Sequence, residues 1–287
     1  MFKTDLLKGK VVVVTGGGTG LGKSMALRFA QLGAKLVLTS RSLDHLQPAA
    51  EEIRQAVSGA EVQVAACDIR MPDQVEAMVQ GTVEKFGKLD VLINNAAGNF
   101  LAQTEKLTPN GFGSVVDIVL KGSFNCTLQC GKQMIAQGTG GSILSIVTTY
   151  AWTGSAYVVP SACAKAGVLA MTRSLAVEWA RHKIRCNAIA PGPFPTEGAW
   201  AKLVPGGLGE TTNAMATKKI PAGRFGEHHE LANLATYLIA DESAYITGEC
   251  VVIDGGEWLM GGEFNGFTTF DQTALGQMFD AMRPKKR

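Results

Sequence analysis

Hydrophobic residues in this chain fall into short apolar runs that alternate with longer segments of helical spacing. Residues 11–14 are four valines in a row, which is typical of a strand buried on both faces. Similar short runs predict further strands at 35–38, 62–66, 89–93, 142–147, 184–190 and 250–253. Apolar residues at helical spacing predict helices at 20–32, 43–57, 72–86, 109–137, 162–181 and 227–240.

The strict alternation of strands and helices predicts the fold class. Strand–helix–strand units favour parallel strands, with helices that cover both faces of the sheet. We therefore predict an α/β fold, a single-domain Rossmann-type doubly wound parallel sheet over residues 1–287. Residues 194–221 are expected to form a lid loop, because long irregular connections usually serve binding. Residues from about 257 to 287 would form a C-terminal extension.

Composition narrows the function and the compartment. Lysine and arginine total 27 against 25 acidic residues, and a net charge of +2 is too small for a dedicated nucleic-acid binder. No apolar run approaches the roughly 20 residues of a membrane span, and no signal or transit segment is recognisable. The six cysteines form no CxxC pair and no metal-ligand set. We therefore expect a cytoplasmic protein without a metal site or a structural disulfide.

A glycine-rich turn between the first strand and the first helix predicts a phosphate site. Backbone without Cβ atoms can approach a pyrophosphate closely, and the helix N-terminus adds N–H groups and partial positive charge. A simple tight turn is the alternative, but the position between a buried strand and a helix favours a dinucleotide. The residues expected to contact it are Gly16, Gly17, Gly18, Thr19, Gly20, Leu21 and Gly22.

The end of the second strand indicates which dinucleotide binds. An NAD site usually carries an acidic residue there for the ribose 2′-hydroxyl, whereas this strand ends in Thr39, Ser40 and Arg41. Arg41 could instead bind a 2′-phosphate, so we predict NADPH, with an ordinary surface arginine as the alternative. Asp68 follows the third strand and could accept from the adenine amino group, or else cap the next helix.

Together with the glycine turn, two further segments make the chain resemble the short-chain dehydrogenase/reductase family. They are Asn-Asn-Ala-Ala-Gly at 94–98 and Pro-Gly-Pro at 191–193. The resemblance covers roughly residues 9–256 and implies that coenzyme contacts come also from Asn95, Pro191, Gly192, Pro193 and Phe194.

The chain departs from the family at the usual catalytic positions. The family has a Tyr-x-x-x-Lys pair with a Ser thirteen residues before the Tyr. Here Lys165 is present, but Ser161 stands at the Tyr position and Thr148 at the Ser position. Val119 replaces a further family Asn. Because a serine hydroxyl is a much weaker acid than a phenol, an ordinary alcohol dehydrogenase mechanism is not expected.

These departures are similar to those of the 2,4-dienoyl-CoA reductase branch. In that branch a Tyr eleven residues before the Ser replaces the missing phenol, and Tyr150 stands at that position. The resemblance implies that the catalytic residues are Tyr150, Asn99, Ser161 and Lys165, and that Phe100, Tyr150 and Ser161 contact the substrate. Lys165 would also bind the nicotinamide ribose. Lys202, Lys218 and Lys219 are weaker candidates for contacts with CoA phosphates.

The branch implies NADPH-dependent reduction of a 2,4-dienoyl-CoA to a 3-enoyl-CoA in unsaturated fatty acid degradation, by a homotetramer. A 3-ketoacyl or other carbonyl reductase of the same family is one alternative, and a non-catalytic NADP-sensing protein is another. Tyr157 is expected to be a pocket wall or core residue rather than a catalytic one. The histidines, His45, His182, His228 and His229, are expected at solvated positions near helix ends.

Overall fold

The computed structural model describes residues 2–196, 198 and 216–283. Its strands are β1 (Val11–Thr15), β2 (Lys35–Ser40), β3 (Val62–Ala66), β4 (Val91–Asn94), β5 (Gly141–Ile146), β6 (Ile184–Pro191) and β7 (Cys250–Ile253). The helices are α1 (Gly20–Gln31), α2 (Leu43–Ala56), α3 (Pro72–Phe86), α4 (Pro109–Val116), α5 (Gly122–Gln137), α6 (Tyr150–Thr153), α7 (Val159–Glu178), α8 (His228–Ile239) and α9 (Gln272–Met282).

The described strands form one parallel sheet in the order β3-β2-β1-β4-β5-β6-β7. The order reverses between β1 and β4, so their connections leave in opposite directions. A crevice therefore opens at the carboxyl ends of these two strands, where ligands bind in sheets of this kind. The prediction of a Rossmann-type doubly wound parallel sheet is confirmed.

Alternating residues of the central strands enter two different hydrophobic cores. In β1, Val12 and Val14 pack into the core beneath α1, α2 and α8, whereas Val13 packs into the core beneath α3 and α5. In β4, Leu92 shares the second core with Val13. All five residues of β1 are buried. A strand with no solvent-facing side must be apolar at every position, which explains the uninterrupted valines.

Three helical features depart from the sequence prediction. The predicted helix at 109–137 is divided into α4 and α5 by a π-helical turn at Asp117–Lys121. The one-turn helix α6 lies in a segment without a predicted element. The C-terminal extension contains α9, which is capped by the Asp271 carboxylate accepting from the Ala274 amide at 2.8 Å. Most of the predicted lid at 194–221 lies outside the described residues. Along the described chain, no helix is both long and apolar enough to cross a membrane.

We predict opposite effects of alanine at two helical glycines. A Cβ at Gly22 would lie 2.2 Å from the Gly16 carbonyl oxygen, whereas a Cβ at Gly81 in α3 would make one ordinary contact at 3.7 Å. Gly22→Ala should lower the free energy of unfolding by about 1–3 kcal/mol, because α1 must move away from the turn. Gly81→Ala should raise it by up to about 1 kcal/mol through helix propensity.

Equilibrium urea denaturation of the two variants and the parent protein measures both effects. A Gly22→Ala protein as stable as the Gly81→Ala protein would contradict the close approach of α1 to the turn.

Candidate active site

The glycine-rich turn forms the first wall of the crevice between β1 and β4. Gly16 and Gly20 have φ values of +65° and +51°, in the left-handed region that favours glycine. Thr19 precedes α1 in an extended conformation, and its side chain does not cap the helix. The first turn of α1 carries no acidic residue. No acidic side chain of this first turn therefore opposes an anion at the positive end of α1, which fits the pyrophosphate of a dinucleotide.

The other glycines of the turn allow close packing. A Cβ at Gly17 would lie 3.0 Å from Leu38 in β2, and one at Gly18 would lie 2.9 Å from the His45 carbonyl oxygen in α2. The turn therefore rests on β2 and on the start of α2. The predicted contacts of this turn with a coenzyme remain a prediction.

Asn95 joins the loop after β4 to the glycine turn. Its side-chain Nδ2 donates to the Thr15 carbonyl oxygen at 2.9 Å and to that of Gly16 at 3.3 Å. Its amide donates to Thr15 Oγ1 at 3.0 Å. In this structure Asn95 therefore holds two loops of the crevice together, and direct coenzyme contact remains a prediction.

Arg41 and Asp68 lie at the ends of β2 and β3. The Arg41 side chain is exposed and makes neither a hydrogen bond nor an ion pair within the part of the chain that the structure describes. The Asp68 carboxylate accepts from Arg70 Nε at 2.9 Å and from Arg70 Nη2 at 2.5 Å. These bonds lower the pKa of Asp68, and the nearby Arg41 charge contributes.

Asp68 does not cap α3, so that alternative prediction is wrong. Met71 is the N-cap residue of α3, and the carboxylate is engaged by Arg70 instead. Its contact with adenine stays a prediction. Arg70 was not singled out from the sequence, because a surface arginine two residues from an aspartate carries no distinctive pattern.

Tyr150, Ser161 and Lys165 lie near the carboxyl end of β5. The Tyr150 hydroxyl lies 3.1 Å from Ser161 Oγ, which joins the first residue of α6 to the first turn of α7. Lys165 follows Ser161 by one helical turn and is only 7% exposed. Its Nζ donates to the Ile146 carbonyl oxygen. Desolvation by burial lowers the pKa of Lys165 to about 8.

Thr148 and Val119, which replace the family's usual Ser and Asn, have structural roles in this chain. Thr148 Oγ1 accepts from the Tyr150 amide at 3.2 Å and so supports the turn that carries the phenol. Val119, in the π-helical turn, is buried in an apolar cluster with Val115 and Val168. Tyr157 is 59% exposed with φ +65°, so it is not a core residue, and its place in a pocket wall stays a prediction.

Asn99 and Phe100 lie in the segment that follows β4, and β4 is the neighbour of β5 in the sheet. The Phe100 amide donates to Asn99 Oδ1 at 2.9 Å. This bond engages the side-chain oxygen and leaves the Nδ2 hydrogens as the groups that Asn99 can donate. Phe100 is half-buried against the apolar cluster that contains Val119.

The segment after β6 is fixed by backbone hydrogen bonds. The Gly192 amide donates to the Ile253 carbonyl oxygen at 2.9 Å, and the Gly226 amide donates to that of Pro193 at 3.1 Å. Phe194 is 6% exposed, with its ring against Gly226. Because the Phe194 side chain points into the core, a coenzyme contact there would come from its backbone.

The C-terminal extension reaches the turn that carries Tyr150. The Trp258 ring packs edge-on against Trp152 in α6, with centroids 5.7 Å apart. No local pattern indicates this contact, since Trp152 and Trp258 are far apart in the chain. Of the lysines proposed for CoA, Lys218 and Lys219 are exposed and Lys202 lies outside the described residues. Across those residues, no cluster of three or more His, Cys, Asp or Glu could hold a metal ion.

Comparisons with known proteins agree with this arrangement. Residues 16–257 match the family model described as enoyl-(acyl carrier protein) reductase. A Caenorhabditis elegans protein named as a probable 2,4-dienoyl-CoA reductase, (3E)-enoyl-CoA-producing, is 42% identical over 99% of this chain and 92% of its own length. A Bacillus subtilis protein named as a probable 2,4-dienoyl-CoA reductase, (2E)-enoyl-CoA-producing, is 46% identical over 87% of this chain and 97% of its own.

A solved structure gives the same assignment for the fold. A crystal structure of a short chain dehydrogenase from Bacillus anthracis superimposes with a TM-score of 0.82 at 44% identity, covering 90% of this chain and 99% of that one. The match covers most of both chains, and its identity is too high for a likeness of fold alone. The chain therefore belongs to the short-chain dehydrogenase/reductase family and, within it, to the 2,4-dienoyl-CoA reductase branch.

Proposed function

We propose that this oxidoreductase reduces 2,4-dienoyl-CoA to 3-enoyl-CoA with NADPH, in the degradation of unsaturated fatty acids. The observation that carries the proposal is the hydrogen bond between Tyr150 and Ser161, one helical turn from the buried Lys165. The Tyr150 phenol thus lies beside Ser161, which stands where the family's usual tyrosine is missing. Two similar proteins that bear the dienoyl-CoA reductase name support the substrate class.

The proposed reaction needs hydrogen-bond donors at the thioester oxygen. When bound, the coenzyme supplies a hydride, which adds to the distal carbon of the diene, and negative charge spreads to this oxygen. A proton taken up at Cα then completes the 3-enoyl-CoA. Tyr150 Oη–H and the Asn99 Nδ2 hydrogens are the proposed donors. One such donor is worth about 2.7–4 kcal/mol in transition-state stabilisation. Phe100 is proposed to contact the acyl part of the substrate.

Ser161 and Lys165 support Tyr150 in different ways. The Ser161 hydroxyl holds the phenol at 3.1 Å and faces the proposed substrate position. Lys165, held by the Ile146 carbonyl oxygen, is proposed to donate to the nicotinamide ribose hydroxyls. The positive charge of Lys165 thus lies on α7, one helical turn from the serine that holds the Tyr150 phenol.

The proposed preference for NADPH rests on charge at the ends of β2 and β3. β2 ends without an acidic residue, and the exposed Arg41 follows it. The Asp68 carboxylate is already paired with Arg70, which reduces its repulsion of a 2′-phosphate. Arg41 can therefore bind the phosphate through charge-assisted hydrogen bonds.

The proposal extends to the assembly and the compartment. Val177 in α7 and Phe124 in α5 are apolar side chains that are 81% and 49% exposed, which supports a homotetramer formed through long helices. All six cysteines are free thiols, which supports a reducing compartment such as the cytoplasm.

The substrate class is tested by comparing two thioesters. We expect the purified protein to oxidise NADPH with 2,4-hexadienoyl-CoA at a kcat/KM at least about tenfold above that with acetoacetyl-CoA, because Tyr150 and Asn99 are proposed to donate to a thioester oxygen. The decrease in NADPH absorbance measures both rates. The reverse order would support a carbonyl reductase, and NADPH binding without turnover would support a sensor.

Tyr150→Phe should lower kcat/KM for the dienoyl-CoA by about 10²–10³, the cost of one donor to an oxyanion. Tyr157→Phe is the matched control, because that exposed phenol should leave the rate within about twofold of the parent. NADPH fluorescence titration should show unchanged coenzyme binding in both variants. An active Tyr150→Phe enzyme beside an inactive Tyr157→Phe enzyme would reverse the assignment.

Arg41→Ala should raise the KM for NADPH by about 10- to 100-fold, since hydrogen bonds to charged groups are worth about 1.5–3 kcal/mol. The KM for NADH should stay within about twofold, because NADH lacks the 2′-phosphate. Steady-state kinetics with each coenzyme give the ratio. An equal change in the KM for both coenzymes would show that Arg41 does not bind the 2′-phosphate.

A further inference from the structure

His228 joins two loops that border the proposed coenzyme site. Its Nε2 lies 2.7 Å from the Pro195 carbonyl oxygen, and its Nδ1 lies 2.8 Å from Ser24 Oγ. Because a carbonyl oxygen only accepts, Nε2 carries the hydrogen and donates to Pro195. The half-buried imidazole is thus held at both nitrogens, unlike the solvated helix-end histidine that the sequence predicts.

The two partners of His228 belong to opposite sides of the crevice. Ser24 lies in α1, one helical turn after Gly20, and its Oγ is also 3.0 Å from the Gly20 carbonyl oxygen. Pro195 follows the Pro-Gly-Pro segment after β6. The two sides meet here, since a Cβ at Gly20 would lie 3.2 Å from Thr196 Cγ2. His228 therefore fixes the distance between the pyrophosphate side and the nicotinamide side.

Packing of α1 against α8 does not depend on this imidazole. The two helices share the first hydrophobic core, with Phe29 of α1 and Leu231 of α8 both fully buried. Arg28 Nε also donates to Asn233 Oδ1 at 3.0 Å, and Asn233 lies five residues after His228 in α8. The bond from His228 to Pro195 has a different effect. It holds the backbone of the segment after β6 at a point two residues beyond the Gly226–Pro193 bond.

We infer that His228 is a positioning residue for the coenzyme. It holds the segment after β6 against the start of α1, so that both loops are already in place when the dinucleotide binds. The inference rests on the proposed coenzyme site. A loop held in place before binding loses less conformational freedom when the ligand arrives, so the bridge should act on coenzyme affinity. His228 itself does not touch the reacting atoms.

Two substitutions at this position test the inference. His228→Leu removes both hydrogen bonds and should raise the dissociation constant of NADPH about five- to tenfold, the effect of losing about one net hydrogen bond. His228→Gln should restore the value to within about twofold, because its amide can donate to Pro195 and accept from Ser24. The kcat at saturating coenzyme and the KM for the dienoyl-CoA should change less than twofold in both variants.

Two matched controls separate positioning from stability. His229→Leu changes the neighbouring exposed imidazole, which pairs with Glu227 at 3.2 Å and not with the loop. Asn233→Ala removes a second polar link between α1 and α8, the bond to Arg28. Both controls should leave the NADPH dissociation constant within about twofold of the parent, even where Asn233→Ala lowers the unfolding midpoint.

A second readout uses the enzyme without coenzyme. Amide hydrogen exchange should become faster in the peptide spanning residues 192–196 and at Gly226 in His228→Leu, and stay unchanged in both controls. Equal affinities and equal exchange in parent and His228→Leu would overturn the inference, as would an Asn233→Ala effect of the same size. If the parent binds neither NADPH nor NADH, the proposed function fails, and the exchange measurement alone decides whether His228 holds the loop.

Discussion

The Thr15 hydroxyl holds β1 and β4 together at the point where the sheet begins to open. The backbone pairing of the two strands ends at Val14 and Ile93. One residue further on, Thr15 Oγ1 donates to the Ile93 carbonyl oxygen at 3.1 Å and accepts from the amides of Asn95 and Ala96, both at 3.0 Å. A buried side chain thus continues the hydrogen bonding where the strands diverge, and the crevice opens directly beyond it.

The phenol of the site depends on the same edge of the sheet. β5 lies beside β4, and its carboxyl end leads to α6 and Tyr150. In most members of the family the phenol and the lysine lie on one helix, whereas here the phenol approaches Ser161 of α7 from α6. Lys165 keeps its buried place, while Val119 makes the position of the family's asparagine apolar. The proposed site therefore keeps the lysine of the family and takes its phenol from another element.

Strands and long helices could be predicted from the sequence because their patterns are local. Buried parallel strands are continuous apolar runs, and the boundaries of β7 and α3 agree with the prediction. The one-turn helix α6 is too short to show a helical period, and the π-helical turn keeps the apolar pattern of an ordinary helix. Both depend on tertiary contacts that the local sequence does not carry.

The site shows the same division between local patterns and tertiary contacts. The glycine turn and the spacing of Tyr150, Ser161 and Lys165 are readable along the chain, and the structure joins the Tyr150 and Ser161 hydroxyls and holds Lys165 at the Ile146 carbonyl oxygen. The pairing of Arg70 with Asp68 and the bridge through His228 depend on side-chain directions and on residues more than 200 positions apart. Polar surface residues of this kind look solvated until their partners are known.

The path of the hydride tests the central claim most directly. NADPH carrying deuterium at the transferred position, incubated with 2,4-hexadienoyl-CoA in ordinary water, gives a product that NMR and mass spectrometry can locate atom by atom. Charge stabilisation at the thioester oxygen by Tyr150 and Asn99 predicts one deuterium at C5, and protonation at Cα predicts a double bond between C3 and C4. Deuterium at any other carbon, or a product with its double bond between C2 and C3, would contradict the account.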